Sequence, residues 1–473
     1  MQQAIKRTTK VTVALSGLRH LRPDQMQQLY QLCVTPVLDY ASTVWHDSLK
    51  DKTHLRHLNT VQRTSLVHIL SAFRTVATAT LEVEAHILPT HLHLRHQAQH
   101  TIANLYTLPQ EHPIWDTLSR AQKRRNNIGL YTHFPLAEAL KTMDLQRLNE
   151  LETIDPRPLP PWHLDPFVEI EVGSDREVAG EQAKAVHSIS DIVVYSDASG
   201  RNGHLGATVV ALNVDMEMVE SQHIQVGPMD RCRSVLQAIK SARNKSGQRI
   251  VHTIHQVATE VKTAGIALRL QWVLGYCDNP GNNAADRMAK YATSPSKSHP
   301  FRPLLTREKG LIRGNIAAQW EHEWRTSSKG SHLQKIDNTL PATHTRKLYG
   351  SLPRGQAYLL TQLRTGHNWL STYHKKIGYS DDDRCSCGAQ ETVTHVLVDC
   401  PMLVELRRNL RREVGDAFNS VSSLLGGSKQ GEKGKPDTVS RARTVQAVLD
   451  FAEASHRFRS RAPRGQPNNG NGN

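Results

Sequence analysis

An apolar, β-branched run that ends in an aspartate is the feature that most restricts how this chain can fold. Residues Ile192 to Tyr195 predict a buried strand. Asp197 follows, and a Ser-Gly turn is expected directly after it. Far downstream, Asp286 stands near the start of a predicted helix, residues 284–291, after a Pro-Gly-Asn-Asn loop. A carboxylate at the rim of a buried strand can face a ligand while the strand stays packed. If the carboxylates of Asp197 and Asp286 lie close together in the fold, they would supply hard oxygen ligands for Mg²⁺.

The segments between the two aspartates alternate between strand and helix patterns. Residues 205–212 suit a second strand, residues 250–261 an amphipathic helix, and residues 266–273 a further strand. Such alternation favours an α/β fold.

The residues around both aspartates resemble a known domain. Asp-Ala-Ser-Gly at 197–200 is followed by Gly-His-Leu-Gly-Ala at 203–207, and later by Trp-Val-Leu-Gly at 272–275 and Gly-Asn-Asn-Ala-Ala-Asp at 281–286. This pattern resembles the type-I RNase H domain of fungal non-LTR (LINE-type) retrotransposons. The resemblance implies an RNase H-like mixed sheet with flanking helices. It also implies an enzyme that hydrolyses the RNA strand of RNA–DNA hybrids. It also implies two Mg²⁺ ions held by four carboxylates, with Asp197 as the first and Asp286 as the last.

The second and third carboxylates of that pattern have no counterpart here. Residues 220–224 read like its third strand and residues 234–239 like the helix after its third carboxylate. Only seven residues, 227–233, lie between them, too few for a helix and a strand. We therefore expect one helix-plus-strand segment to be missing, through deletion or an error in the gene structure. Asp230 could be offered as a substitute ligand, but it stands on the wrong side of the junction.

Three substitutions also depart from the family pattern. Leu274 stands where the family has Pro, Tyr276 where it has His, and Asn283 where it has Glu. In the family, that His is thought to assist proton transfer or product release beside the metal ions. A tyrosine does not titrate near neutrality, so Tyr276 cannot take over the role. We expect Mg²⁺ binding and hybrid cleavage to be weak or absent, which leaves enzymatic activity undecided. The plain alternative is that Asp197 and Asp286 are ordinary turn and helix-start residues.

A second motif lies near the C-terminus and predicts a structural zinc site. Cys385-x-Cys387-x7-His395-x4-Cys400-Pro401 supplies three thiols and an imidazole, the ligands of a closed tetrahedral Zn²⁺ centre. The Cys-x-Cys gap is tighter than usual, and Gly388 would relieve the turn. The alternative is four unrelated residues. The surrounding sequence, Cys-Ser-Cys-Gly-Ala-Gln-Glu-Thr and onward, resembles the zinc-binding C-terminal element of the same retrotransposons, which implies contact with RNA or DNA.

The N-terminal part predicts helices. Met26, Leu29, Leu32 and Cys33 recur at helical spacing, as do four residues of the next helical stretch, Leu58, Val61, Ile69 and Leu70. Residues 32–45 resemble the stretch just beyond the polymerase palm of non-LTR reverse transcriptases, which implies a thumb-like remnant without polymerase activity. Five histidines between residues 86 and 100 favour a solvated helix face over a metal site.

Charge and cysteine usage restrict partners and compartment. The chain of 473 residues has 59 basic and 44 acidic side chains and a net charge of +15, which favours nucleic acid as a partner. No window is apolar enough to span a membrane, no secretory signal is evident, and the six cysteines suit a reducing compartment. We expect an intracellular protein of the nucleus or cytoplasm.

Taken in order along the chain, the patterns predict six segments. These are a helical thumb-like remnant (1–110), a Pro-rich connector (111–186), an RNase H-like domain (187–295), a helical linker (296–345), a small, α-rich zinc-binding element (346–425) and a basic tail with one helix (426–473). The order matches the C-terminal part of a retrotransposon polyprotein. The competing interpretation is a nucleic-acid-binding fragment without catalysis.

Overall fold

The structure, a computed structural model, describes most of the chain. The described residues are 2–18, 20–45, 52–117, 135–157, 169–172, 181, 185, 190, 192–201, 204–213, 215, 217–225, 245–272, 280–291, 302–428 and 438–459. Residues 226–244, where we place the missing segment, lie outside them, and so do residues 273–279 with Leu274 and Tyr276.

The described chain is mostly helical. The helices before residue 150 are α1 (Gln2–Ser16), α2 (Pro23–Leu29), α3 (Thr35–Asp39), α4 (Ser42–Trp45), α5 (Lys52–Leu70), α6 (Thr78–Glu84), α7 (Thr90–Tyr106), α8 (Pro135–Leu140) and α9 (Leu145–Asn149). The later helices are α10 (Gln248–Thr263), α11 (Pro280–Tyr291), α12 (Leu305–Thr326), α13 (Ser331–Ile336), α14 (His344–Gly350), α15 (Arg354–Thr365), α16 (Ser371–Lys376), α17 (Val404–Val414), α18 (Val421–Leu424) and α19 (Thr438–Ser455). Within the described residues, no helix has both the length and the apolar composition of a membrane span.

Five strands form two separate sheets. They are β1 (Glu169–Val172), β2 (Val193–Arg201), β3 (His204–Leu212), β4 (Met218–Gln225) and β5 (Arg269–Trp272). Strands β2, β3 and β4 form an antiparallel sheet in that order, whereas β5 pairs in parallel with β1.

This arrangement differs from the single mixed sheet that we expected. Among the described residues, β5 does not join the sheet of β2, β3 and β4. Consecutive antiparallel strands pair through short connections, whereas a parallel partner must be reached by a long crossover. The sequence pattern locates the strand at residues 269–272 but does not specify which strand it pairs with.

The chain divides into two compact units, one of which is discontinuous in sequence. The first comprises residues 1–98 and 314–473, and the second comprises residues 99–313. Within the first unit α5 packs against α1 and α15, and α17 packs against α19. The N-terminal helices and the Cys/His element thus share one hydrophobic core, with Leu58, Leu66, Leu360 and Val448 fully buried in it.

A fully buried arginine lies in the core of the first unit. Arg364 on α15 has no exposed surface and forms ion pairs with Glu84 at the end of α6 and with Asp337 after α13. Its Nη1 donates to the carbonyl oxygen of Leu425 at 2.6 Å. His344 on α14 lies 2.5 Å from the Asp337 carboxylate, measured from Nε2 to Oδ2. This buried charge cluster, Arg364 with Glu84, Asp337 and His344, connects four separate parts of the unit.

The predicted helical spacing holds in α5 but shifts after α2. Leu58 and Ile69 of α5 are buried as expected. Residues Tyr30–Val34 form a π-helical turn, which inserts one extra residue into the helical register. Val34 is therefore buried, while Leu32, which we expected on the apolar face, is 73% exposed.

The histidine row on α7 acquires acidic partners from distant parts of the chain. His93 Nε2 lies 2.6 Å from Asp39 Oδ1, and His91 Nε2 lies 3.0 Å from Glu323 Oε2. The sequence pattern around residues 86–100 contains neither carboxylate. Within the described residues, these histidines belong to no group of three or more metal-ligating side chains.

In the second unit α11 packs on one face of the antiparallel sheet. Its small core contains Tyr195, Val210, Leu212 and Ala285. Gly281, at the start of α11, lies against the ring of Tyr195 so closely that any Cβ there would collide with the ring. Any other residue here would therefore force the Tyr195 ring to move.

Candidate metal centre

Three cysteines and one histidine converge at the C-terminal motif. The ligand atoms of Cys385, Cys387, His395 and Cys400 all lie within 4.8 Å of one another. Cys385 Sγ is 3.7 Å from Cys400 Sγ, and Cys387 Sγ is 3.3 Å from His395 Nε2. Sulfur atoms about 2.3 Å from a tetrahedral zinc ion lie about 3.8 Å apart. The donor set and its spacing therefore fit a metal such as Zn²⁺, as the sequence predicts.

A tight turn brings the first two cysteines together. The backbone N–H of Cys385 donates to the carbonyl oxygen of Ala389 at 2.7 Å, and that of Gly388 donates to the carbonyl oxygen of Cys385 at 2.8 Å. Gly388 has a φ of +91°, a conformation that other residues adopt only with strain. The relief that we expected from Gly388 is confirmed.

A π-helical turn, His395–Asp399, sets the distance between the last two ligands. The N–H of Cys400 donates to the carbonyl oxygen of His395 at 2.7 Å, an i→i+5 bond that explains the four-residue gap. The hydroxyl of Thr392 accepts the His395 N–H at 3.1 Å at the start of this turn. These bonds hold both ligands on one side of the turn.

The thiol groups lie in different surroundings. Hydrogen bonds, the largest from the backbone N–H of Ala389, lower the pKa of Cys387, which favours the thiolate that a metal binds. Burial raises the pKa of Cys400, whose side chain is fully enclosed. Cys385 and His395 are buried as well, Cys387 is partly exposed, and the four side chains supply a complete tetrahedral set of ligands. A closed centre of four protein ligands is typical of a structural metal site.

Two residues whose contacts sequence reasoning missed connect this loop to its neighbours. Glu391, with no exposed surface, accepts hydrogen bonds from the backbone N–H of Ser371 at 2.8 Å and from its hydroxyl at 2.6 Å. It also pairs with Arg457 at 3.2 Å. On α17, Arg407 donates to the carbonyl oxygens of Cys400 at 2.6 Å and Leu397 at 3.2 Å. Glu391 stands within the motif itself, whereas no sequence signal distinguishes Arg407 from an ordinary surface charge.

The two candidate catalytic aspartates lie on elements that pack together. Asp197 stands within β2 opposite Thr208 of β3, and Asp286 stands on α11, which covers this sheet. The strand continues to Arg201, so the turn that we expected directly after Asp197 is not there. Asp286 forms an ion pair with Lys290, one turn further along α11. Both side chains are partly exposed.

The four-carboxylate magnesium site is not assembled from the residues that the structure describes. Among them, the one group of three or more potential metal ligands is the Cys385, Cys387, His395 and Cys400 cluster. Asp197 and Asp286 have no third potential ligand grouped with them among these residues.

No protein-family profile, curated protein or solved structure matches this chain.

Proposed function

We propose that this chain is a nucleic-acid-binding protein whose C-terminal element is held together by a structural zinc ion. The observation that carries the proposal is the convergence of Cys385, Cys387, His395 and Cys400 within 4.8 Å. The net charge of +15 supports a polyanionic partner, because basic side chains gain affinity for phosphates through counterion release. The resemblance of the same motif to retrotransposon zinc elements points the same way.

In this proposal the metal has an architectural role. When bound, Zn²⁺ would neutralise the thiolates and crosslink the turn at Gly388 to the turn at His395. The chain's own residues then position the neighbouring helices. Arg407 holds α17 against the metal-binding loop, residues 385–400, and Glu391 ties that loop to α16 and to Arg457.

For the origin of the chain, we propose the C-terminal part of a fungal non-LTR retrotransposon polyprotein. The antiparallel sheet of β2, β3 and β4 with α11 would correspond to part of an RNase H-like domain. The N-terminal helices would be the thumb-like remnant of its reverse transcriptase.

Hydrolysis of RNA–DNA hybrids is the second candidate function. It is favoured by one observation, the packing of β2 against α11, which places Asp197 and Asp286 on adjoining elements. Because the remaining carboxylates of a two-metal site have no counterpart here, we propose that this activity is weak or lost. The chain would then bind nucleic acid without cleaving it.

Binding is tested by fluorescence anisotropy of labelled RNA, DNA and hybrid oligonucleotides with the zinc-loaded full chain. We expect binding that weakens with salt and that falls after the metal is removed by a chelator and restored by Zn²⁺. Absence of binding at low salt by the zinc-loaded chain would refute the proposal.

Cleavage is tested with a labelled hybrid and Mg²⁺, using Asp197→Asn beside Glu220→Gln. Glu220 is an exposed carboxylate on β4, so its variant removes the same charge from the same sheet. We expect equal background in all three proteins. Cleavage that disappears only in Asp197→Asn would establish catalysis and overturn this expectation.

A further inference from the structure

The charges of α17 are segregated around the helix. At 3.6 residues per turn, the four arginines of this helix and Val404 fall within one arc of about 140°. Glu405, Asn409 and Glu413 occupy the next arc, and Leu406 and Leu410 face the core. The arginines are Arg407, Arg408, Arg411 and Arg412. An ordinary solvated helix face mixes the two signs, whereas this one presents a cationic side.

Three of these arginines are available to a partner and one is not. Arg407 is committed to the carbonyl oxygens of the metal-binding loop. Arg408, Arg411 and Arg412 are exposed, and the guanidinium of Arg411 lies 5.1 Å above the ring of Phe418. Arg408 and Arg412 stand about 6 Å apart along the helix axis, so each can reach a different phosphate of one strand.

The acidic side chain that pairs with this face, Glu405, does not block it. Glu405 pairs with Arg408 at 2.9 Å, but the two side chains are 79% and 62% exposed. An ion pair in such contact with water is worth at most about 1 kcal/mol. A phosphate can therefore replace Glu405 at little cost.

Two exposed apolar side chains stand at the start of α17, next to the metal-binding loop. Met402 is 62% exposed and Val404 is 45% exposed, and both come shortly after Cys400 and Pro401. Single-stranded nucleic acid is bound by cationic side chains that follow its backbone and by apolar surfaces that cover its bases. The bases of a duplex are stacked and paired, so only a single strand can use both parts of this surface.

We propose that the arginine face, defined as Val404, Arg408, Arg411 and Arg412 of α17 together with Met402 just before the helix, binds a single strand of nucleic acid. The guanidinium groups contact successive phosphates, and a base packs against Met402 and Val404. Arg407 acts as a positioning residue, since it fixes the helix to the metal-binding loop. The inference rests on the proposed nucleic-acid binding and assigns it to one surface.

The experiment compares the zinc-loaded full chain with two double variants. Arg408→Gln/Arg412→Gln removes two charges from the arginine face. Arg56→Gln/Arg325→Gln removes two exposed charges elsewhere in the same unit, where Arg325 pairs with Glu321 much as Arg408 pairs with Glu405. Glutamine preserves helix propensity, and unchanged zinc content and thermal melting confirm that each variant is folded.

Binding of a labelled oligouridylate of about twenty nucleotides is measured by anisotropy across a range of salt concentrations. Each lost phosphate contact reduces the slope of log K against log salt by about 0.7 for a single strand. We expect the arginine-face variant to reduce the slope by about 1.4 and to bind about 20-fold more weakly at 0.1 M salt. The control variant should follow the wild type within about threefold. Met402→Ser should weaken binding about fivefold without changing the slope.

The outcomes separate this inference from the proposed function. A wild-type chain that binds no nucleic acid would refute the proposed function itself. Binding by the wild type with equal losses in both double variants would leave that function standing and overturn the arginine face. Equal affinity for a duplex, or displacement of the oligonucleotide by polyglutamate as readily as by unlabelled oligouridylate, would also overturn it.

Discussion

Replacing Arg364 by Met should destabilise the first unit more than any substitution of an exposed charge. The guanidinium is the cation shared by Glu84 and Asp337, and neither carboxylate has any exposed surface. Methionine fills most of the volume but supplies no charge. Both carboxylates would then remain in the core, with the carbonyl oxygen of Leu425 losing its donor as well.

The size of the effect can be derived from these contacts. Burial alone would lower the pKa of Arg364, but the charge of Glu84 raises it above its ordinary value, so the side chain stays protonated. Removing one partner of a buried ion pair costs about 3–5 kcal/mol, because the other charge is left without compensation. Hydrogen bonds to charged groups are worth about 1.5–3 kcal/mol each, which agrees with this range. We expect a loss of about 4 kcal/mol for Arg364→Met.

Hydrogen exchange of peptides from α6 and α15, followed by mass spectrometry, measures this loss within the unit. Arg408→Met is the matched control, since its pair with Glu405 is exposed and its removal should cost less than about 1 kcal/mol. Arg364→Met/Glu84→Gln should be more stable than the sum of the single effects predicts, because the neutral amide no longer needs a cation. A loss below about 1 kcal/mol for Arg364→Met would refute the reasoning.

Three further predictions concern the metal centre and the pH dependence of stability. Cys400→Ser should abolish zinc retention, measured by elemental analysis. Cys33 is a free cysteine outside the cluster, so the Cys33→Ser variant should retain its zinc. Equal loss of zinc in both variants would contradict the assignment. Gly388→Ala should cost about 1 kcal/mol and weaken zinc binding, measured by competition with a chelator, because open space surrounds the position and only its positive φ is strained. Burial raises the pKa of Glu82 from near 4.5 to about 8. The protonated side chain therefore contributes its full stabilisation of the fold below pH 4.5, and this contribution is lost as the pH rises through 8. Denaturant unfolding should show a loss of up to about 5 kcal/mol over that window, and Glu82→Gln should flatten the profile; an unchanged profile would refute the prediction.

The metal centre was the part most accessible from sequence. Its ligands lie within 15 residues of one another, so local turns alone bring them together, and Gly388 signals the tighter turn. The helices with regular apolar spacing, such as α5, were equally accessible. The π-helical turn at Tyr30–Val34 was not, because its extra residue depends on what packs around it.

The sequence by itself determined the four candidate metal ligands and the positive charge of the chain, since these depend on residues close in the chain or on composition. Tertiary structure alone decided that residues 1–98 and 314–473 form one unit, and that Arg364 meets Glu84 from 280 positions away. It also decided that β5 pairs with β1 rather than with the antiparallel sheet. A buried charge requires a partner but does not specify where along the chain that partner stands. The periodicity of a sequence indicates which side of a helix or strand is buried. The packing of the whole chain determines which other element covers that side.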